Sequence, residues 1–343
     1  MKKITKQLIS FGLIVSIMLS YTLSVEAYDN IGVEIPNQIL NYAKSMGLRN
    51  LTRVRKLYSP DDILIGYCAE GFNEYIIYDV EYNVIEYSDC NTSRYAGMNS
   101  KAYYAGPLSY YVKENSGYVD LSSSEVLTRD DFRSGTQIIS DIRINNFSDN
   151  TELLSTNSSD LNIVTKTIDG ELDNLDWNPD GCCGQLAATM ILPYLEVSFG
   201  IGLSSFFVQN PYYLLQDLKS IIPHGSEDYG TTYSQLSGGL NTYASKKKCS
   251  IYSYYSKNKA SYYNTYKSCI IADQPSIVGL DEYRVNSNLY YEAHWVAGYG
   301  YRLVYYQGSL AQSQFIVNDG KGNSGIYIIN NEHVDGVVYI MPK

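Results

Sequence analysis

A run of small and apolar residues entered through two adjacent cysteines constrains this chain more than any other stretch. Residues 178–199 read Asn-Pro-Asp-Gly-Cys-Cys-Gly-Gln-Leu-Ala-Ala-Thr-Met-Ile-Leu-Pro-Tyr-Leu-Glu-Val-Ser-Phe. A polar turn with Pro179 and Gly181 leads into Cys182 and Cys183. Ala187, Ala188, Met190, Ile191, Tyr194, Leu195 and Val197 then follow near helical spacing, which predicts a buried helix from about Gly184. Pro193 falls inside that pattern and should kink or shorten the helix. A cysteine at a helix N-terminus feels unpaired backbone N–H groups and the positive end of the macrodipole. Both favour thiolate, the nucleophilic form of the side chain. Gly184, Ala187 and Ala188 are small enough to let the helix lie close to whatever faces it.

A thiol nucleophile needs a base, and the chain has only three histidines. His224 sits in the turn-like Ile-Pro-His-Gly-Ser and His333 in the turn-like Asn-Asn-Glu-His-Val-Asp-Gly. His294 opens the strand-like run His-Trp-Val-Ala-Gly-Tyr-Gly-Tyr, where its geometry can be held. Further on, Gln-Phe-Ile-Val-Asn-Asp-Gly-Lys-Gly-Asn ends a short apolar strand at Asn318 and Asp319. Either could accept the second imidazole N–H. The order is nucleophile, base and orienting group.

These residues resemble the papain-like cysteine peptidases, specifically the bacterial secreted branch that includes streptopain and the bacteriocin-processing-type peptidases. That branch carries Gly-x-Cys-Gly-Pro-(Thr/Ala)-Ala-x-Ala-Met before a run of aliphatics. Here the stretch is Gly181-Cys182-Cys183-Gly184-Gln185-Leu186-Ala187-Ala188-Thr189-Met190. The histidine motif His-Trp-Val-Val-x-x-Gly-Tyr is matched by His294-Trp295-Val296-Ala297-Gly298-Tyr299-Gly300-Tyr301. The third motif, Val-Asn-(Asp/Trp)-Gly-x-Gly, is matched by Val317-Asn318-Asp319-Gly320-Lys321-Gly322. Gln185 and Leu186 stand where the branch has Pro-Thr. The doubled cysteine leaves Cys182 and Cys183 both open as nucleophile; the Cys-Gly pair and the Met-aliphatic-Leu tail favour Cys183.

The resemblance covers about residues 170–343 and implies an α+β fold with a helical lobe, an antiparallel β lobe and a cleft between them. It implies hydrolysis of a protein or peptide substrate through a Cys183–His294–Asn318 or Asp319 triad and a thioester, with Asn178 and the Cys183 backbone N–H holding the oxyanion. Trp295 is either a shield over the pair or plain core. The same fold also serves other thiol acyl transferases, such as transglutaminases and amidases. A degenerate copy could act as a surface-binding module.

Ahead of that part, Lys2, Lys3 and Lys6, the apolar stretch from Leu8 to Leu23 and Val25-Glu26-Ala27 read as a secretory signal peptide over residues 1–27. The chain is therefore expected outside the cell, with no membrane association once the signal is removed. Residues 28–115 read as a small domain: a helix near 35–47, then strands near 63–68, 73–79 and 83–87. It resembles the antiparallel pro-region of streptopain-like zymogens, which implies an intramolecular inhibitor; the plain alternative is any small β module. Residues 116–168, rich in Ser, Asn, Asp and Thr, read as a polar linker open to proteolysis, and 169–343 as the catalytic domain. Within it, helices are expected over 210–222 and 231–248. Strands are expected near 251–255, 276–280, 294–304, 314–318, 325–329 and 337–341. The 36 tyrosines suit half-buried β surfaces. A net charge of −10 with no basic patch argues against a nucleic-acid partner. No cofactor is implied, and the cysteine and histidine spacing suits no metal site. In an exported chain, Cys68 with Cys90 and Cys249 with Cys269 are candidate disulfides, although sequence does not decide between pairings.

Overall fold

The structure, a computed structural model, describes residues 34–59, 61–114, 117–121, 124, 126–127, 161–176, 182–223, 230–280, 284–285, 288–289, 294–330 and 334–343. The expected signal peptide, most of the expected linker, Asn178, His224 and His333 lie outside the described residues. Helix α1 (Asn37–Ser45) precedes β1 (Arg53–Tyr58), β2 (Leu64–Glu70), β3 (Tyr75–Asp79) and β4 (Val84–Ser88). Then come β5 (Ala102–Tyr104), β6 (Tyr110–Glu114), β7 (Gly117–Asp120), β8 (Val126–Leu127) and β9 (Leu161–Thr167). Four helices follow: α2 (Cys183–Phe199), α3 (Ser205–Gln209), α4 (Pro211–Lys219) and α5 (Tyr233–Lys247). After β10 (Ile251–Ser256) and α6 (Tyr262–Ile271) come β11 (Ser276–Leu280) and the short pair β12 (Arg284–Val285) and β13 (Asn288–Leu289). The chain ends in β14 (Trp295–Tyr306), β15 (Ser309–Asn318), β16 (Ile326–Ile329) and β17 (Val334–Pro342).

Helices and strands combine in a mixed α and β fold around one large sheet. Its order is β10-β17-β11-β14-β15-β16-β4-β3-β2-β1-β5-β6-β7-β8, with β9 added beside β14. Among the described residues every ladder is antiparallel except β1 with β5. The two halves of the chain meet where β4 pairs β16, Tyr87 opposite Tyr327, so the sheet runs through the expected domain division without a break.

Side-chain parity explains how this sheet is covered. Strands β3 and β4 are buried at every position, so apolar matter lies on both faces. Ile76, Tyr78 and Tyr87 point to one face, with Val304 and Ile316, and are covered by Ile39, Tyr42 and Ala43 of α1. Tyr75 and Ile77 point to the other face and join the large core that also holds α2. Ile85 joins it too, because it sits at the register shift between β3 and β4 that breaks the alternation with Tyr87. A buried arginine ties the seam. Arg302 donates to Tyr87 Oη at 2.9 Å, Tyr327 Oη at 2.7 Å, Met46 O at 3.3 Å and Thr165 Oγ1 at 3.1 Å. Its guanidinium lies 3.8 Å from the centre of the Tyr327 ring, which stacks on Tyr87 at 4.6 Å.

Most expected elements form within a residue or three of where the sequence puts them, and four differences have physical causes. Helix α2 runs through Pro193 to Phe199 without shortening and ends at Gly200, in the left-handed region at φ 62°. An interior proline costs about 3 kcal/mol, and a helix buried from Cys183 to Leu195 offsets that through packing. Residues Leu161–Thr167, expected in the polar linker, form β9. Strand β11 pairs only the first part of β14, Trp295 to Gly298. The rest of that edge would be left with unpaired backbone groups, and β9 covers it from Gly300 to Tyr306. Helix α6 was not anticipated because tyrosine and β-branched residues mask its propensity. The candidate disulfides do not form: Cys68, Cys90, Cys249 and Cys269 are free thiols. Cys68 lies in the core beside Ser93 at 3.5 Å, and Cys90 sits against Ser324 O at 3.4 Å.

Candidate active site

Cys183 is the first residue of α2, with Cys182 in the N-cap position. No acidic side chain occupies the first turn, so the positive helix end faces Cys183 uncompensated by its own helix. The two cysteines face different surroundings. Cys182 is fully buried with Leu186 and Leu215. Cys183 belongs to the large core around α2 and the sheet and retains 6% exposure. The cluster that holds Cys183 also contains Trp295, Val296 and Ala297 of β14.

Three contacts bring the other two motifs to this helix start. A methyl group on Gly184 would stand 3.3 Å from Trp295 Cδ1 and 3.1 Å from Leu236 Cδ2, so the absence of a side chain lets α2 approach the beginning of β14. Gly320 plays the same part on the other motif: at φ 70°, its missing methyl would lie 2.9 Å from Leu186 Cδ2. Gln185 completes the arrangement. It is wholly buried and its Nε2 donates to Thr231 Oγ1 at 3.1 Å and Ile222 O at 3.3 Å. Thr231 O in turn accepts from Trp295 Nε1 at 2.9 Å. The glutamine that departs from the family pattern thus links the first turn of α2 to the residue after His294. Its polarity at a core position was the signal in the sequence, because a buried amide must find partners. Trp295 is 2% exposed and packs edge-on against Tyr233 at 4.4 Å; it is core.

His294 stands immediately before β14, its carbonyl accepting from Leu280 N at 2.9 Å. Its Nε2 lies 3.0 Å from the main-chain oxygen of Asp319. A carbonyl only accepts, so Nε2 carries the proton and Nδ1 keeps the lone pair. Although the residue retains some exposed surface, burial of the ring and the nearby charge of Lys321 lower the imidazole pKa to about 3. The Asp319 carbonyl and Asp120 act in the opposite sense. The imidazole in this arrangement is neutral.

The partner of Nε2 is thus the Asp319 backbone. The Asp319 carboxylate is occupied elsewhere, and Asn318 Oδ1 is buried without a hydrogen-bond partner among the described residues. Asp319 Oδ1 accepts from Lys321 N at 2.8 Å and Asn323 N at 2.9 Å, and Oδ2 from Asn323 Nδ2 at 2.7 Å. That carboxylate builds the turn whose carbonyl meets His294. Burial pushes the Asp319 carboxyl up from its usual range, opposed by these donors and by Arg94. Asn318 Nδ2 donates to Leu172 O at 3.3 Å and Asp173 O at 3.2 Å, and Asp176 bridges to Lys321. Asn318 therefore fastens the segment around Leu172 and Asp173. The neighbourhood of Asn178 lies outside the described residues. Among the described residues no three metal-ligating side chains gather.

No family model matches the chain, and no curated protein sequence matches it. Among solved structures, it is similar to a Bacillus anthracis chain provisionally assigned as a C39-like peptidase. The alignment covers 52% of this chain and 98% of that one, at 12% identity and a TM-score of 0.34.

Proposed function

We propose that this chain is a cysteine peptidase that cleaves peptide bonds by acyl transfer through Cys183. One observation carries the reading. The first turn of α2 lies against both Trp295, through Gly184, and Gly320, through Leu186, while His294 Nε2 is already engaged at Asp319 O. These contacts support a reading in which nucleophile, base and orienting turn adjoin, and the imidazole nitrogen left over is the one able to take a proton.

In the proposed reaction His294 Nδ1 accepts the Cys183 proton as sulfur attacks the substrate carbonyl carbon. The tetrahedral oxyanion is held by the Cys183 backbone N–H, aided by the helix end, and by Asn178. Collapse expels the amine, which takes the proton from the imidazolium, and leaves a thioester on Cys183. His294 then removes a proton from water, water attacks the thioester, and the acid product departs with the thiol restored. Asp319 O holds the ring throughout, and its acceptance of the Nε2 proton stabilises the imidazolium as it forms. In this reading α2–α5 supply one wall of a papain-like cleft and β10–β17 the other. Residues 1–27 direct the chain out of the cell, and the enzyme is made as a precursor open to cleavage between the two halves.

The test is hydrolysis of fluorescein-labelled casein by the wild type, Cys183→Ala and Cys182→Ala. Turnover should fall about 10³-fold or more in Cys183→Ala and stay within a few-fold of wild type in Cys182→Ala. Wild-type turnover in Cys183→Ala would refute the assignment. Incorporation of an added amine in preference to water would make the chain a transferase of the same chemistry.

A further inference from the structure

The turn that orients His294 is held from outside the catalytic half. Arg94, in the loop between β4 and β5, donates through Nη2 to Lys321 O, and the same nitrogen lies 3.8 Å from Asp319 Oδ2. Asp120, at the end of β7, lies 3.6 Å from Lys321 Nζ. Two charges from the first half of the chain therefore grip the peptide Asp319-Gly320-Lys321 on its acidic and its basic side. The Asp319 carboxylate that Arg94 meets is fully buried, and a buried charge stripped of its ionic partner is strongly destabilised. The Asp319 carbonyl can stay aimed at His294 only while that carboxylate keeps its place in the turn.

We propose, on the basis of the reading above, that residues 34–121 are a permanent part of the active site, with Arg94 and Asp120 as positioning residues for His294. The seam agrees with this. Detaching the first half would unpair β4 from β16 and strip Arg302 of Tyr87 and Met46. It would also open the core shared by Tyr75, Ile77 and α2. A cut in the chain between the halves leaves all of these contacts in place. Arg94 does two things at once, since it meets a carboxylate and a carbonyl from one planar group, and a lysine can do only one of them well.

The experiment uses the full chain with ¹⁵N-labelled histidine and a quenched fluorescent peptide that the wild type cleaves. Arg94→Met should lower kcat about tenfold or more with KM little changed, a loss confined to the transition state. It should also remove the exchange-protected Nε2–H signal, assigned to His294 by its absence in His294→Gln. Arg94→Lys should restore part of both, and Asp120→Asn should lower kcat by a smaller factor. A rise in kcat in Arg94→Met would overturn the proposal and make these contacts inhibitory. An unchanged kcat with an unchanged Nε2–H signal would overturn it as well. Should the wild type cleave no peptide, the peptidase reading fails by itself. The Nε2–H signal then decides the positioning role alone: its loss in Arg94→Met supports the role, and its persistence refutes it.

Discussion

Replacing Gly320 with alanine measures the contact on which the site depends. Gly320 adopts φ 70°, a region that costs a residue with a Cβ roughly 1–2 kcal/mol. The added methyl would also stand 2.9 Å from Leu186 Cδ2, with Met190 Cε at an ordinary 3.8 Å. Crowding of that kind in a packed interior adds about 1–3 kcal/mol. Gly320→Ala should therefore lose about 2–5 kcal/mol of stability, the sum of those two terms. Leu186→Ala alone should cost about 2–5 kcal/mol, since its side chain is buried. In the double variant the crowding vanishes and the backbone strain remains. The two losses should then fall short of additivity by about 1–3 kcal/mol, well beyond the ~0.5 kcal/mol scatter of independent sites. Urea unfolding of the four proteins at 25 °C, with a common m-value, gives the cycle. Additivity within that scatter would mean that the first turn of α2 does not lie against the Asp319 turn, and the convergence of the motifs would fail with it.

Three further outcomes follow from buried groups. Glu86 is wholly buried, and burial raises its carboxyl to about 7 against an ordinary 4.5. The folded state binds that proton more tightly, so stability falls as pH rises through this window. Relative to wild type, Glu86→Gln should therefore gain roughly 3 kcal/mol between pH 4.5 and pH 8 in denaturant titrations; a constant difference would refute the buried acid. His294 has the opposite sign. Its pKa, lowered to about 3 from 6.5, gives stability that is full above pH 6.5 and is lost as pH falls. The cost at pH 5 is about 2 kcal/mol, and His294→Phe should lack that slope. Arg302→Met should cost about 3 kcal/mol or more, because it leaves the Tyr87 and Tyr327 hydroxyls without their donor. A loss below about 1 kcal/mol by thermal unfolding would show that the seam does not rely on it.

What could be read from the sequence was set by local pattern. Alternation in Tyr75–Asp79 and Val84–Ser88 gave the strands, and the 3.6-residue spacing of Ala187, Met190, Ile191 and Tyr194 gave α2. Pairing partners are a non-local matter: nothing in Glu86-Tyr87-Ser88 says that its neighbour will be Ile326-Tyr327-Ile328, so the continuous sheet went unseen. Helix α6 left a legible trace, because Tyr262, Tyr266, Cys269 and Ile270 repeat at helical spacing and are buried, but tyrosine-rich propensity hid it. At the site, residue types singled out His294 and the Asn318-Asp319 pair as candidates. They could not reveal that a main-chain oxygen would take the imidazole proton, since every residue carries one. Gln185, set aside as a departure from a motif, is the amide that joins α2 to Thr231 and, through it, to Trp295.

The most direct test of the central claim is the rate at which each cysteine reacts with iodoacetamide near neutral pH, read by tandem mass spectrometry in wild type and His294→Gln. Cys183 should label faster than the exposed Cys90 despite its small accessible surface, and the rate should fall about tenfold or more when His294 no longer accepts its proton. Labelling of Cys183 no faster than the buried Cys249 and Cys269, unchanged by the histidine substitution, would contradict the account: Cys183 would then be a core thiol.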